Sequence, residues 1–173
     1  MITERELRRD AERVLGDDFN LAFEVAGRHM IEGKNVRIDM LCWPKQKLIN
    51  AGFVGDMIGI EFKVIDQAKS HSGGLNRLFW QAITYSQSEF THNGSTKRPA
   101  FVLVCINKSD LIDLRPYQTL MCFCEHANIG ELIIGESGYA IKSYGRTAWA
   151  TLGGRAYRSN VSVILTNRKI GSV

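Results

Sequence analysis

The sequence predicts an α/β fold: a mixed central sheet flanked by helices, with a β-rich extension towards the C-terminal end. Three observations carry this. Residues 36–42 and 59–64 alternate with the period of two that a half-buried strand needs. Residues 3–16 and 75–90 space their apolar side chains three and four apart, as a helix with one buried face does. Residues 100–106, Ala-Phe-Val-Leu-Val-Cys-Ile, form an unbroken apolar run that suits a central strand covered on both faces.

At 173 residues, 45% hydrophobic and 23% charged, the chain has the length and balance of one globular domain spanning 1–173. No stretch approaches the roughly 18 consecutive apolar residues of a membrane span, and Met1-Ile2-Thr3-Glu4-Arg5 lacks the apolar region of a signal peptide. The expectation is a cytoplasmic protein with no membrane partner. The four cysteines, Cys42, Cys105, Cys122 and Cys124, sit mostly in apolar runs and read as reduced core residues. A zinc reading of Cys122-x-Cys124-x-His126 fails, because i and i+2 on a helix face nearly opposite ways and no fourth ligand is suitably spaced. A net charge of +4 lends nucleic-acid binding only weak support.

In chain order, residues 3–16 open with Thr3 and carry Glu6 three positions later, the pattern of a reciprocal capping box, and Gly16 closes the helix. Arg5, Arg8, Arg9 and Arg13 form a basic outer face, suited to phosphate contacts or simply to solvation. Two strands follow at 21–26 and 36–42, joined by a turn at 32–35, and Pro44 ends the second. A connection over 45–56, with room for a short irregular or strand segment, leads to the strand at 59–64. Next comes a polar, glycine-containing loop in which Lys69 and His71 are the residues placed to meet phosphate, or an ordinary surface loop. The helix over 75–90 carries Arg77, Gln81 and Tyr85 at four-residue intervals on one face. A loop at 91–99 leads to the central strand, a helix is expected at 117–127 and a strand at 131–135. Hairpin strands are expected at 139–144, 147–152 and 161–166. This last part is the most basic of the chain. Its Arg146, Arg155 and Arg158, interleaved with aromatics, suit either a nucleic-acid backbone or the solvation of a sheet edge.

The chemistry concentrates on two strands. In 59–64, Glu61 and Lys63 share one face while Ile60, Phe62 and Val64 share the other; in 36–42, Asp39 is an acid on a mostly apolar strand, with Val36, Ile38, Met40 and Cys42 together on the opposite side. Mg²⁺ is usually held by one or two carboxylates together with water and phosphate oxygens. Asp39 and Glu61 supply such carboxylates for Mg²⁺ or Mn²⁺, and Lys63 an ammonium to orient the attacking water or meet charge on the phosphate. The plainer alternative is a cross-strand surface pair and an unrelated acid.

An acid, then acid-x-Lys on the next strand, within this order of elements, resembles the PD-(D/E)XK nuclease superfamily over about residues 3–135; Ile38-Asp39 stands where the family writes Pro-Asp. Gln81-x-x-x-Tyr85 on the following helix is similar to a motif of recombination-helicase nuclease domains and phage exonucleases. The resemblance implies a restriction-endonuclease-like αβββαβ core and a metal-dependent deoxyribonuclease in which Asp39, Glu61, Lys63 and Gln81 are catalytic and Tyr85 supports them. It also implies an additional acid near the metal, for which Glu4 on the first helix is the first candidate and Glu24 the second. Glu4 equally suits a helix's first turn by its dipole. DNA is the expected partner, and a homodimer follows by analogy. A nuclease-like scaffold that binds nucleic acid or protein without cutting, and an RNA-cleaving effector on the same site, are the alternatives.

Overall fold

The computed structural model describes residues 2–53, 55–65, 73–107, 115–136, 138–143, 146–152 and 155–158. Its first helix, α1 (Glu4–Leu15), begins with the expected box: Thr3 Oγ1 accepts from Glu6 N–H at 3.2 Å and Glu6 Oε2 accepts from Thr3 N–H at 2.7 Å. That exchange satisfies two donors that a helix N-terminus leaves open. Leu7, Ala11 and Leu15 are the buried stripe, as their spacing requires.

An antiparallel hairpin of β1 (Phe19–His29) and β2 (Asn35–Pro44) follows, its turn containing Gly33 at φ 68°. A short helix, α2 (Gln46–Asn50), occupies the connection to β3 (Ile58–Lys63), where an irregular or strand segment was expected. Beyond β3 lie α3 (Gly73–Ser86) and a second hairpin, β4 (Ser88–His92) with β5 (Ser95–Lys97). Sequence periodicity runs the helix to 90 and leaves 91–99 as loop. The structure ends α3 four residues earlier because Ser86 and Ser88 hydroxyls bond back to the Ile83 and Thr84 carbonyls, and because Asn93-Gly94, at φ 50° and 77°, makes a tight hairpin turn. The chain continues through β6 (Val102–Ile106), α4 (Arg115–Glu125), β7 (Ile129–Ile134), β8 (Tyr139–Ser143), β9 (Arg146–Leu152) and β10 (Arg155–Arg158). The strand expected at 161–166 lies outside the described residues.

The ten strands among the described residues join one mixed sheet in the order β10-β9-β8-β7-β6-β3-β2-β1-β4-β5. Its centre is parallel, β3 with β6 and β6 with β7, and both wings are antiparallel. Every residue of β6 is buried, as its unbroken apolar run demands. One core lies between the sheet and α1, with Leu7, Leu15, Phe19, Met40, Ile60, Phe62 and Leu103. The other lies between the sheet and α3 and α4, with Ile38, Leu41, Leu78, Ala82, Val104 and Cys124. No disulfide joins the described cysteines. Among the described residues no helix is long and apolar enough to cross a membrane.

Gly27 of β1 pairs with Phe90 of β4, and a Cβ there would stand 2.5 Å from both the Glu89 carbonyl oxygen and the Phe90 ring. A carbonyl fixed in a ladder has nowhere to go, so Gly27→Ala overpacks this seam. The expected loss is about 2 kcal/mol, read as a lower urea midpoint at unchanged slope. A midpoint equal to wild type would show that β4 does not close on Gly27.

Candidate functional site

β2 and β3 pair only from Met40–Ile60 to Cys42–Ile58. The next rung would set Asp39 against Glu61, but there the strands part. Phe62 N–H, instead of reaching a backbone carbonyl of β2, donates to Asp39 Oδ2 at 2.9 Å. A buried amide left without an acceptor costs about 1–3 kcal/mol, so this bond holds the carboxylate in place. Gly59 permits the close pairing just before the separation, since a Cβ there would lie 2.6 Å from Ile38 Cδ1.

The separation also corrects the strand reading. Ile38 packs on the α3 side and Met40 on the α1 side, so the four residues expected on one face are divided at Asp39. Across the hairpin, the β1–β2 register sets Glu24 opposite Asp39, and Glu24 has a left-handed φ of 52°, costly for a residue with a side chain. Glu24, Asp39 and Glu61 therefore stand at one level on three adjacent strands.

Arg8 reaches into this level from α1. Its guanidinium donates to Asp39 Oδ1 at 2.8 Å and to Glu24 Oε1, while Arg37 holds Glu24 Oε2 at 3.0 Å. Sequence reading places Arg8 on the outer basic face. The signal against that was its position four residues after Glu4, because the two share a helix stripe. Lys63 donates its ammonium to Glu4 Oε1, so the first helix does bring an acid to the site.

Among the described residues four acids (Glu4, Glu24, Asp39, Glu61) thus meet three bases (Arg8, Arg37, Lys63), and Glu61 is the one with no base bonded to it. Glu61 is 5% exposed, and its Oε2 is buried with no hydrogen-bond partner among the described residues. Burial first, then the Asp39 charge, push its carboxyl up to about 9. Asp39 is also held above the usual carboxylate range by burial, against the pull of the Phe62 amide and of Arg8. Glu61 feels Lys63 and Glu4 as well, which places all four groups in one electrostatic neighbourhood.

Gln81 and Tyr85 approach from α3. Gln81 Nε2 lies 3.5 Å from the Tyr85 hydroxyl, a long contact, and Tyr85 donates to the Arg37 carbonyl at 2.8 Å. Burial, followed by the Glu61 charge, pushes the Tyr85 phenol up to about 12. Gln81 makes no hydrogen bond to Asp39 or Glu61 among the described residues, and its Oε1 is buried without a partner. The pair therefore pins α3 to the backbone beside Asp39 rather than gripping the acids directly.

The expected phosphate contacts are more scattered. Lys69 and His71 lie outside the described residues. Arg77 is exposed on α3. Arg146 opens β9, and Arg155 and Arg158 bound β10, the sheet's far edge. That edge is five strands from β3, about 24 Å along the sheet at about 4.8 Å per strand.

Among the described residues no three His, Cys, Asp or Glu side chains gather as a complete metal cage. The donors present are nonetheless of the kind Mg²⁺ or Mn²⁺ accepts: two carboxylates on adjacent strands, one with a buried and unpartnered oxygen, the rest of the coordination left to water and phosphate. They do not suit zinc, which favours nitrogen and sulfur ligands. No protein-family model, curated protein or solved structure matches the chain.

The charge count makes a stability prediction. With its pKa near 9 in the fold against an ordinary 4.5, Glu61 keeps a proton that the unfolded chain releases above pH 4.5. Stability is therefore lost progressively as pH rises from 4.5 towards 9 in EDTA. Glu61→Gln keeps a neutral donor at this position. It is expected to gain about 2 kcal/mol over wild type at pH 8.5, roughly 4–8 °C in Tm, and almost nothing at pH 5. Parallel Tm curves for the two proteins would show that Glu61 does not hold the proton.

Proposed function

We propose that this chain is a divalent-metal-dependent nuclease that hydrolyses DNA phosphodiester bonds, on a core of the PD-(D/E)XK, restriction-endonuclease-like kind. What carries the reading is the meeting, where β2 and β3 part, of Asp39, a buried Glu61 with an unpartnered oxygen, and Lys63. The order of helix, three strands, helix and parallel strand agrees with such a core, with α2 and the β4–β5 hairpin as insertions.

Asp39 and Glu61 would hold Mg²⁺ or Mn²⁺, which when bound supplies a Lewis acid for the phosphoryl oxygen. Asp39 is oriented for this by the Phe62 amide and Arg8. Lys63, steered by Glu4, offers the ammonium that aligns the attacking water and meets negative charge developing on the phosphate. Glu4 acts through Lys63, and Glu24 through Arg8; neither needs to touch the cation. Tyr85, and Gln81 behind it, fix the β2 backbone at Arg37 and so keep Asp39 at its level. Lys63 ends β3, which runs parallel to its neighbour β6 and, beyond that, to β7, and sites in open α/β sheets form outside such carboxyl ends.

The test is a panel of single-stranded, double-stranded and branched DNA and of RNA, incubated with Mg²⁺ or Mn²⁺. Cleavage is expected with either metal and none in EDTA. Glu61→Ala and Lys63→Ala should each lower the rate by about a hundredfold to a thousandfold or more while keeping the wild-type circular dichroism spectrum. A wild-type protein that cuts nothing on the panel with either metal would overturn the assignment.

A further inference from the structure

Next to the carboxylates, on the outer side of Arg8, α1 and β1 enclose an open cleft of about 460 Å³ lined by Arg5, Arg8, Arg9, Glu12 and Phe23. Phe23 is 39% exposed, although its strand neighbours Ala22 and Val25 are both buried. Regular alternation already puts Phe23 on the α1 face, after Leu21, with Ala22 on the α3 face; the left-handed backbone at Glu24 then intervenes. It breaks the alternation of β1, so that Glu24 stays out of the core beside Phe23. Glu24 meets Arg8, and Phe23 presents its ring to the cleft. Arg8 is committed to Glu24 and Asp39, whereas among the described residues Arg5 and Arg9 take part in no ion pair. The cleft thus offers an aromatic face, two uncommitted guanidinium groups and a single acid, Glu12.

Resting on the nuclease reading, we propose that this cleft binds a single-stranded segment of the nucleic-acid substrate, one base stacked on Phe23 and the neighbouring phosphates on Arg5 and Arg9. An aromatic ring beside cations is the combination that binds unpaired nucleotides without regard to sequence. A base inside a duplex has no open face for Phe23, so the cleft selects single strands or frayed ends. Arg8 belongs both to the cleft and to the carboxylate level, which makes the two sites contiguous and leads the bound strand to Asp39 and Glu61. The arginines give charge complementarity to phosphate, which an apolar peptide or a second copy of this face would lack.

The experiment is fluorescence anisotropy in EDTA, where no cutting intervenes, with a fluorescein-labelled oligothymidylate and with a blunt duplex. Phe23→Ala should weaken oligothymidylate binding about tenfold and duplex binding less than about twofold. Phe23→Trp should keep the affinity, and its added indole fluorescence should be quenched on binding. Arg5→Ala with Arg9→Ala should flatten the salt dependence of the single-strand affinity. Unchanged oligothymidylate binding in Phe23→Ala, or equal losses on single strand and duplex, would overturn the proposal. So would a wild-type dimer that Phe23→Ala dissociates with no effect on binding. If nothing is cut but the Phe23 dependence holds, the hydrolase reading falls and the cleft stands; if DNA is cut and Phe23 makes no difference, the reverse is true.

Discussion

The interrupted rung between β2 and β3 governs the rest of the site. Where the two strands part, Phe62 N–H loses its ladder partner, and the Asp39 carboxylate takes that acceptor's place at 2.9 Å. Backbone donors in an interior must be satisfied, so a requirement of the fold fixes a group of the chemistry. One oxygen of Asp39 is spent on the backbone. The other meets Arg8, and Arg8 ties Asp39 to Glu24 on the next strand, where the chain accepts a left-handed φ of 52°. A simple strand edge would have let each of these side chains turn to solvent independently.

Such a cluster does not exist for stability. Among the described residues four acids share three bases, and the unmatched one, Glu61, is the most deeply buried. Desolvating a carboxylate beside another costs more than any nearby hydrogen bond returns, so in the absence of a cation Glu61 keeps its proton. A chain shaped only by folding would place an apolar residue at position 61, as it does at Ile60 and Phe62 beside it. Unfavourable charge crowding next to a backbone outlier is the pattern by which sites of chemistry differ from cores.

Much of this was legible in the sequence, for identifiable reasons. The period of two fixed the strand of Glu61 and Lys63 because the core under α1 needs its apolar side, and the Thr3–Glu6 box marked the helix start because its chemistry is local. The break of alternation at Asp39 was not legible, since it depends on where β3 leaves β2, a contact more than twenty residues distant. Phe90 satisfies helical and strand periods alike, which carried the helix too far, although the Asn93-Gly94 pair named the hairpin. The resemblance put Gln81 and Tyr85 at the site without saying what they touch; among the described residues the Gln81 amide meets Tyr85, and Tyr85 meets the Arg37 carbonyl. Four-residue spacing on a helix gives a shared face but not what the face meets.

The geometry of α1 explains why one helix serves two of the site's charged groups. Glu4 and Arg8 are four residues apart, a rise of about 6 Å along a helix. Glu61, at the level of Asp39, and Lys63 are two residues apart on β3, about 6.6 Å along a strand. The two spacings match, so a helix laid along β3 meets the carboxylate level with Arg8 and the lysine level with Glu4 at once. The match also fixes the helix direction: Glu4, in the first turn, lies at the carboxyl end of β3. The positive end of the α1 dipole therefore points to the level where Lys63 stands, and it adds to the field that favours an anion there. Leu7, Ala11 and Leu15 hold this alignment by packing α1 on the sheet. Hence the hydrophobic stripe of the first helix, acting through Arg8 and Glu4, sets how closely Lys63 stands to the Asp39 and Glu61 carboxylates.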